Sequence, residues 1–162
     1  MNLPSTIQET QVGLKEKKYK ASELVNEYVS RIDKHDKEVN AFLTVSEESA
    51  FETAAKVDRL LESSGEAAFR QYPLLGASVA HKDLFLTKGI RTTAGSKVLE
   101  SFIPTYSATV VDRLEKAGCI LVGKTNCDAW AHGASGENSD FGPIKNPWNK
   151  EFVPGGSSSG SA

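Results

Sequence analysis

The chain has 162 residues, of which 39% are hydrophobic and 25% are charged, and its formal net charge is −2. This composition is typical of a globular domain with a core of its own, and the near-neutral charge argues against a general attraction to nucleic acid or anionic membranes. No apolar stretch approaches the roughly 18 residues that span a bilayer. Residues 1–5 lack the basic and apolar regions of a secretory signal, so we expect a cytoplasmic protein with no membrane contact.

The first 65 residues predict helices around one short strand. The string Ser5-Thr6-Ile7-Gln8 is a capping box that opens a first helix, and the lysine-rich run 15–20 marks its end and a solvated turn, with a tRNA-contacting patch as the alternative. Ser22 caps a second helix, run 41–45 is a strand, and Ser46 caps a third helix. The apolar faces of the two longer helices consist of Leu24, Val25, Tyr28, Val29, Ile32, Ala50, Ala54, Val57, Leu60 and Leu61.

The second half predicts strands that alternate with a helix. Run 74–80 is a buried strand that leads into His81-Lys82-Asp83, run 105–117 is a helix stopped by Gly118, and run 119–122 is another strand. The inward residues of this helix are Val110, Val111 and Leu114. A strand, a helix and a strand with short connections predict an α/β fold with a central sheet.

The stretch from 133 to 162 is rich in Gly, Ser, Asn and Pro. It is either disordered or a loop system packed around a site, and Asn126 or Asp128 starts a short helix before it. The two cysteines, Cys119 and Cys127, do not make a disulfide framework and are expected to be reduced thiols. They are an alternative metal pair with His132, but the spacing fits no common zinc pattern, so we predict no metal site.

The string 118–125 matches the Walker A pattern, but its context is wrong. A phosphate-binding loop needs a strand, then a flexible loop, then a helix. Here the four variable residues, Cys-Ile-Leu-Val, are themselves the predicted strand, and a helix precedes them. We therefore interpret Lys124 as a lysine near a strand end, which could line a pocket, and not as a nucleotide ligand.

A lysine and a row of serines suggest a hydrolytic centre. Lys82 ends an apolar run, and residues 155–162 read Gly-Gly-Ser-Ser-Ser-Gly-Ser-Ala. A serine hydroxyl needs a base, and a lysine is a base only in its neutral form, which burial without a carboxylate partner favours. Asp83 would oppose this if it paired with Lys82, although neighbours in a strand point to opposite faces. The alternatives are a surface lysine and a flexible linker.

Several ordered blocks of sequence resemble one family. They include Val79-Ala80-His81-Lys82-Asp83 and Gly155-Gly156-Ser157-Ser158, and the other blocks are runs 88–96, 108–114, 121–126, 136–143 and 146–148. Together they resemble the amidase signature family, and within it the A subunits of glutamyl-tRNA(Gln)/aspartyl-tRNA(Asn) amidotransferases. The resemblance implies a truncated amidase-signature fold, with a mixed central β-sheet covered by helices on both faces. Residues 1–65 would form an amino-terminal helical segment, and residues 66–162 the first part of the α/β core.

The resemblance also implies a Ser–cis-Ser–Lys triad. Lys82 matches the catalytic lysine, and Ser157, which follows a cis peptide bond, matches the bridging serine. The nucleophilic serine and the oxyanion hole would lie beyond residue 162, so the fragment alone would be inactive. As weaker expectations, Gly133, Ser135 and Ser158 contact the substrate.

The implied activity is that of a glutamine amidase, which supplies ammonia to a heterotrimer with subunits B and C. ATP and magnesium would be used by the partner subunit to amidate misacylated tRNA, and this chain would bind no cofactor itself. Two alternatives remain open: another amidase-signature hydrolase that acts on a small or aryl amide, and a non-catalytic fragment.

Two positions depart from the pattern of the family. The string Asp128-Ala129-Trp130-Ala131-His132-Gly133 stands where the family's amidotransferase members have Asp-Glu-Phe-Ala-Met-Gly, which leaves the shape of the pocket open. We expect Trp130 to fill the core and His132 to be a loop histidine. Ser159 replaces an expected glycine.

Overall fold

The structure, a computed structural model, describes residues 3–162. The helices are α1 (Ile7–Lys15), α2 (Ala21–Val39), α3 (Glu47–Ser64), α4 (Ala67–Gln71) and α5 (Thr109–Lys116), and the strands are β1 (Phe42–Val45), β2 (Ser78–Lys82) and β3 (Ile120–Thr125). Single 3₁₀ turns cover Lys97–Leu99, Ala129–Ala131 and Ser159–Ser161. Within residues 3–162, no helix is both long enough and apolar enough to cross a bilayer.

The three strands form one mixed sheet in the order β1-β3-β2. β2 runs parallel to β3, with Ser78 opposite Ile120 and Lys82 opposite Thr125, and β1 runs antiparallel to β3. A parallel pair needs a crossover connection, which here includes α5. The predicted α/β class with a mixed sheet is therefore confirmed, and the carboxyl ends of β2 and β3 lie side by side.

The core joins the helical segment to the sheet. α2 and α3 present their apolar stripes to each other, and the buried residues of this cluster are Leu14, Ala21, Leu24, Val25, Val29, Ala50, Ala54, Val57, Ala68, Leu75 and Ile120. Members of the cluster come from both sides of residue 65. The division of the chain at that residue remains a prediction.

Two helix starts differ from the prediction, that of α1 by one residue and that of α2 by two. Thr6, not Ser5, caps α1, because its side chain accepts a hydrogen bond from the Glu9 amide. α2 begins at Ala21, with Lys20 in the N-cap position two residues before the predicted cap, Ser22. The carboxylate of Asp58 on α3 accepts the amide hydrogens of both Ala21 and Ser22, at 2.7 and 3.2 Å, so a distant side chain takes the capping role.

Two elements of the second half are shorter than predicted. Residues 74–77 form turns, because Gly76 has φ +78° and its amide donates to Gly118 O at 3.0 Å. The positive φ favours glycine at this position, and a Cβ there would also lie 2.4 Å from the end of the Leu14 side chain. α5 begins at Thr109 instead of residue 105, and Val110, predicted to face inward, is 43% exposed. The helix is thus shorter, and its buried side is centred on Val111.

Candidate active site

Lys82 and Ser157 meet although 75 positions separate them. Lys82 is the last residue of β2 and is half-buried, and its Nζ donates a hydrogen bond to Ser157 Oγ at 2.7 Å. The peptide bond between Gly156 and Ser157 is cis, as the resemblance implies. Within residues 3–162, no carboxylate forms an ion pair with Lys82. The predicted lysine–serine pair is therefore present in the structure.

The Gly/Ser-rich segment around Ser157 is packed against the end of β3. The amide of Asp128 donates to Ser157 O at 3.1 Å, and the amide of Gly160 donates to Asn126 O at 3.0 Å. The hydroxyls of Thr125 and Ser161 lie 3.1 Å apart. Residues 155–162 are therefore held against the sheet by hydrogen bonds, as in the predicted alternative of a packed loop system.

Asp128 organises the loops that border Ser157. Its carboxylate is fully buried and accepts hydrogen bonds from the amides of Gly136 and Asn138 at 3.0–3.2 Å. A Cβ at Gly156 would lie 2.1 Å from Asp128 Oδ2, and a Cβ at Gly133 would lie 2.4 Å from Asp128 Cγ. The carboxylate is thus held between two glycines, one of which directly precedes Ser157.

Asn126 also holds the loops near Ser157 in place. Its side-chain amide donates to Asn40 O at 3.1 Å, and its Oδ1 accepts from Ser139 Oγ at 2.7 Å. The side chain is fully buried. We predicted Asn126 or Asp128 only as the start of a short helix, and the turn Ala129–Ala131 does follow Asp128. The part that both side chains play in holding the loops was missed, since no periodic signal marks hydrogen bonds to distant backbone.

The Walker A string forms no loop around a phosphate, as predicted. Its residues from Ile120 onward are strand β3, and Lys124 points into the protein with a fully buried side chain. Its Nζ lies 3.1 Å from Asp83 Oδ1 and donates to Phe85 O and Thr92 Oγ1. Burial lowers the pKa of Lys124, and the Asp83 carboxylate opposes that shift. The pairing that the sequence left open for Asp83 is therefore with Lys124 and not with Lys82.

The three weaker candidates border the same turn. Ser135 N lies 2.9 Å from the position of a Cβ on Gly156, and Gly133 is exposed above the Asp128 carboxylate. Ser158 follows Ser157 directly and is exposed. Their contact with a substrate stays a prediction.

Trp130 does not fill the core, so that expectation is wrong. It is 47% exposed, because the turn Ala129–Ala131 gives it φ +58° and buries Ala129 instead. His132 is an exposed loop residue, and its carbonyl accepts a hydrogen bond from Asn138 Nδ2. Trp130 and His132 are therefore both exposed, in the string where the sequence departs from its resemblance.

Both cysteines are free and buried. Burial raises the pKa of Cys127, which lies near Lys82, to about 11, so its thiol is neutral at pH 7. Within residues 3–162, no three His, Cys, Asp or Glu side chains lie close enough together to hold a metal ion.

The sequence profile of the family described as Amidase matches residues 23–162. The chain belongs to the amidase signature family. The glutamyl-tRNA(Gln) amidotransferase of Koribacter versatilis has an A-type subunit that is 46% identical over 157 residues, which are 97% of this chain and 32% of the relative. The chain thus spans about a third of the length of the curated relatives it matches.

Solved structures share the fold. The peptide amidase of Stenotrophomonas maltophilia superposes with a TM-score of 0.88 at 30% identity, over 97% of this chain and 33% of that protein. The A-type subunit of the Thermotoga maritima glutamyl-tRNA(Gln) amidotransferase superposes with a TM-score of 0.72 at 32% identity, over 98% of this chain and 32% of that protein.

Proposed function

We propose that this chain supplies the base and the bridging hydroxyl of a Ser–Ser–Lys amide-hydrolysing centre. The observation that carries the proposal is the 2.7 Å hydrogen bond from Lys82 Nζ to Ser157 Oγ at the carboxyl end of a parallel strand. In open α/β sheets, this end of the strands is where ligands bind. The loop held by Asp128 borders the pair on the side of Gly156.

In the proposed mechanism, a proton moves in two transfers. Neutral Lys82 takes the proton of Ser157, and Ser157 takes the proton of a nucleophilic serine that this chain does not contribute. That serine attacks the carbon of a substrate amide, the carbon–nitrogen bond breaks, and ammonia leaves with a proton returned through Ser157. Water then cleaves the resulting ester by the same relay and restores the serine.

The relatives favour glutamine as the amide donor. The curated relatives named as A-type subunits of glutamyl-tRNA(Gln) amidotransferases are 43–49% identical to this chain. We propose that the protein works in the cytoplasm as the ammonia-generating part of such an enzyme, with subunits B and C as its partners. ATP, magnesium and misacylated tRNA would then be used by the assembly, and this chain's own residues would bind neither ATP nor magnesium.

A second candidate is hydrolysis of another amide without a tRNA partner. It is favoured by the closer superposition on the peptide amidase, with a TM-score of 0.88 against 0.72 for the Thermotoga maritima amidotransferase. The exposed Trp130, two residues after Asp128, adds to it, because an aromatic side chain offers an apolar surface to a bulkier amide.

A chimera tests both candidates. This chain replaces the matching third of the Koribacter versatilis relative, and ammonia release is measured with glutamine, a peptide amide and an aryl amide. The first proposal predicts preference for glutamine, and the second predicts preference for one of the other amides. Lys82→Met should lower turnover by at least about 10³-fold, because the base is lost. The exposed Lys116→Met is the matched control, and an active Lys82→Met chimera would reject both candidates.

A further inference from the structure

Asp83 follows the proposed base directly in the chain, and it is fully buried. Its Oδ2 accepts hydrogen bonds from the Thr93 amide at 2.7 Å and from the Thr93 hydroxyl at 2.6 Å. Its Oδ1 lies 3.1 Å from Lys124 Nζ. Both oxygens of the carboxylate are therefore engaged by groups other than Lys82.

Lys124 has three polar partners. Besides Asp83, its Nζ donates to Phe85 O at 2.9 Å and to Thr92 Oγ1 at 2.7 Å. The ammonium thus makes two hydrogen bonds and one ion-pair contact, the latter with Asp83 Oδ1. Removing an ammonium from water is unfavourable, and no step of the proposed hydrolysis uses this one. The buried ion pair of Asp83 and Lys124 must therefore have a role other than proton transfer.

The backbone directs the two neighbours apart. Lys82 lies opposite Thr125 in the β2–β3 register, and the Asp83 amide donates to Thr125 O at 2.9 Å. Successive side chains of a strand point to opposite faces, so Lys82 reaches Ser157 while Asp83 reaches Lys124. Lys124 thus stands on the far side of Asp83 from the proposed site.

We propose that Lys124 is a positioning residue: it binds the Asp83 carboxylate, compensates its negative charge next to Lys82 in the chain, and so leaves Lys82 to Ser157. The purpose assigned to Lys124 rests on the proposed function, but its effect on the charge of Lys82 does not. Without Lys124, a buried carboxylate with no cation would adjoin Lys82 and favour its charged form.

The other titratable groups around the pair have separate roles. Asp128 is held by backbone amides, and the Arg91 guanidinium donates to Thr44 Oγ1 and Leu43 O. The Cys127 thiol has its pKa raised to about 11 by burial. Burial, with the Lys124 charge, lowers the pKa of His81, so this imidazole is neutral at pH 7. Asp83 is therefore the carboxylate that a change at Lys124 would release.

The test is an NMR titration of the 162-residue chain labelled with ¹³C,¹⁵N-lysine, which needs no catalysis. The Lys82 Cε signal is assigned by its loss in Lys82→Arg. Lys124→Met should move the titration midpoint of Lys82 up by about one pH unit, and Asp83→Asn should move it down by a similar amount. The double variant Asp83→Asn/Lys124→Met should return it to within about 0.3 unit of the unmodified chain.

A control and a folding check keep each outcome decisive. Lys116→Met, an exposed substitution, should leave the midpoint unchanged. Circular dichroism reports whether each variant folds. If a single variant does not fold, the proposal is tested on the double variant, which buries no unpaired charge. A displaced titration midpoint of Lys82 in the double variant overturns the proposal. Unmoved midpoints in folded single variants overturn it even if the chimera hydrolyses glutamine. Shifted midpoints with an inactive chimera reject the proposed function alone.

Discussion

Gly156→Ala is the substitution whose effect the geometry determines most closely. The new Cβ would lie 2.1 Å from Asp128 Oδ2 and 2.9 Å from Ser135 N. Ordinary contacts begin at 3.4 Å, so the carboxylate or the turn must shift by about 1.3 Å. The carboxylate has little freedom to retreat, because the amides of Gly136 and Asn138 hold it and Gly133 packs behind it.

The cost follows from the hydrogen bonds that this shift breaks. A hydrogen bond to a charged group contributes about 1.5–3 kcal/mol, so losing one or two lowers the free energy of unfolding by about 3 kcal/mol or more. For a chain of this size, that corresponds to a Tm lower by about 6–12 °C. Since Ser157 follows directly, a shift of this size should also lower hydrolysis by the chimera by about 10²-fold.

Thermal and denaturant unfolding of the 162-residue chain measure the change, with Gly155→Ala as the control. Gly155 has φ +94° and no atom within 4 Å of its Cβ position, so alanine there brings backbone strain of about 1–2 kcal/mol without a clash. In an Asp128→Ala background, Gly156→Ala should be less destabilising by about 1 kcal/mol. If Gly156→Ala is no worse than Gly155→Ala, the steric reasoning is refuted.

Three further substitutions test the surroundings of the site. Burial lowers the pKa of His81, so the neutral imidazole is favoured in the folded chain. The free energy of unfolding should therefore be greatest above about pH 6.5 and fall as the pH drops below that value. His81→Gln should remove this part of the pH dependence. Asn126→Ala should lower the free energy of unfolding by about 2–4 kcal/mol, because it leaves the Ser139 hydroxyl and the Asn40 carbonyl without their partner. Urea unfolding, followed at two wavelengths, measures this free energy and shows whether the variant still unfolds in one cooperative transition. Lys124→Met should be destabilising by about 3–5 kcal/mol and the double variant Asp83→Asn/Lys124→Met by much less, and equal losses in the two would contradict the account of a buried ion pair.

The helices and strands follow closely from local signals. α2 and α3 have apolar faces at helical spacing, and the Cys-Ile-Leu-Val run after a helix predicts β3 in place of a phosphate-binding loop. The predicted boundaries are wrong where contacts between distant parts of the chain set the start or end of an element. Asp58 sets the start of α2 from another helix, and the turn at Gly76 is held by the hydrogen bond from its amide to the Gly118 carbonyl.

Only part of the candidate site could be predicted from the sequence. Lys82 and Ser157 match a sequence pattern of the family, so their pairing could be predicted. Asp128 and Lys124 could not be assigned in the same way, because their partners are distant backbone amides and a carboxylate whose direction depends on the pleat of β2. Trp130 was misplaced because an apolar side chain suggests the core, whereas the local backbone turns it outward.

The joint action of Lys82 and Ser157 is measured most directly by a double-mutant cycle on glutamine hydrolysis in the chimera. If the two form one proton relay, Lys82→Met and Ser157→Ala should each lower kcat by at least about 10³-fold, and the double variant should be no slower than the worse single variant. Losses that multiply in the double variant would show that the two residues act independently, which would contradict the relay.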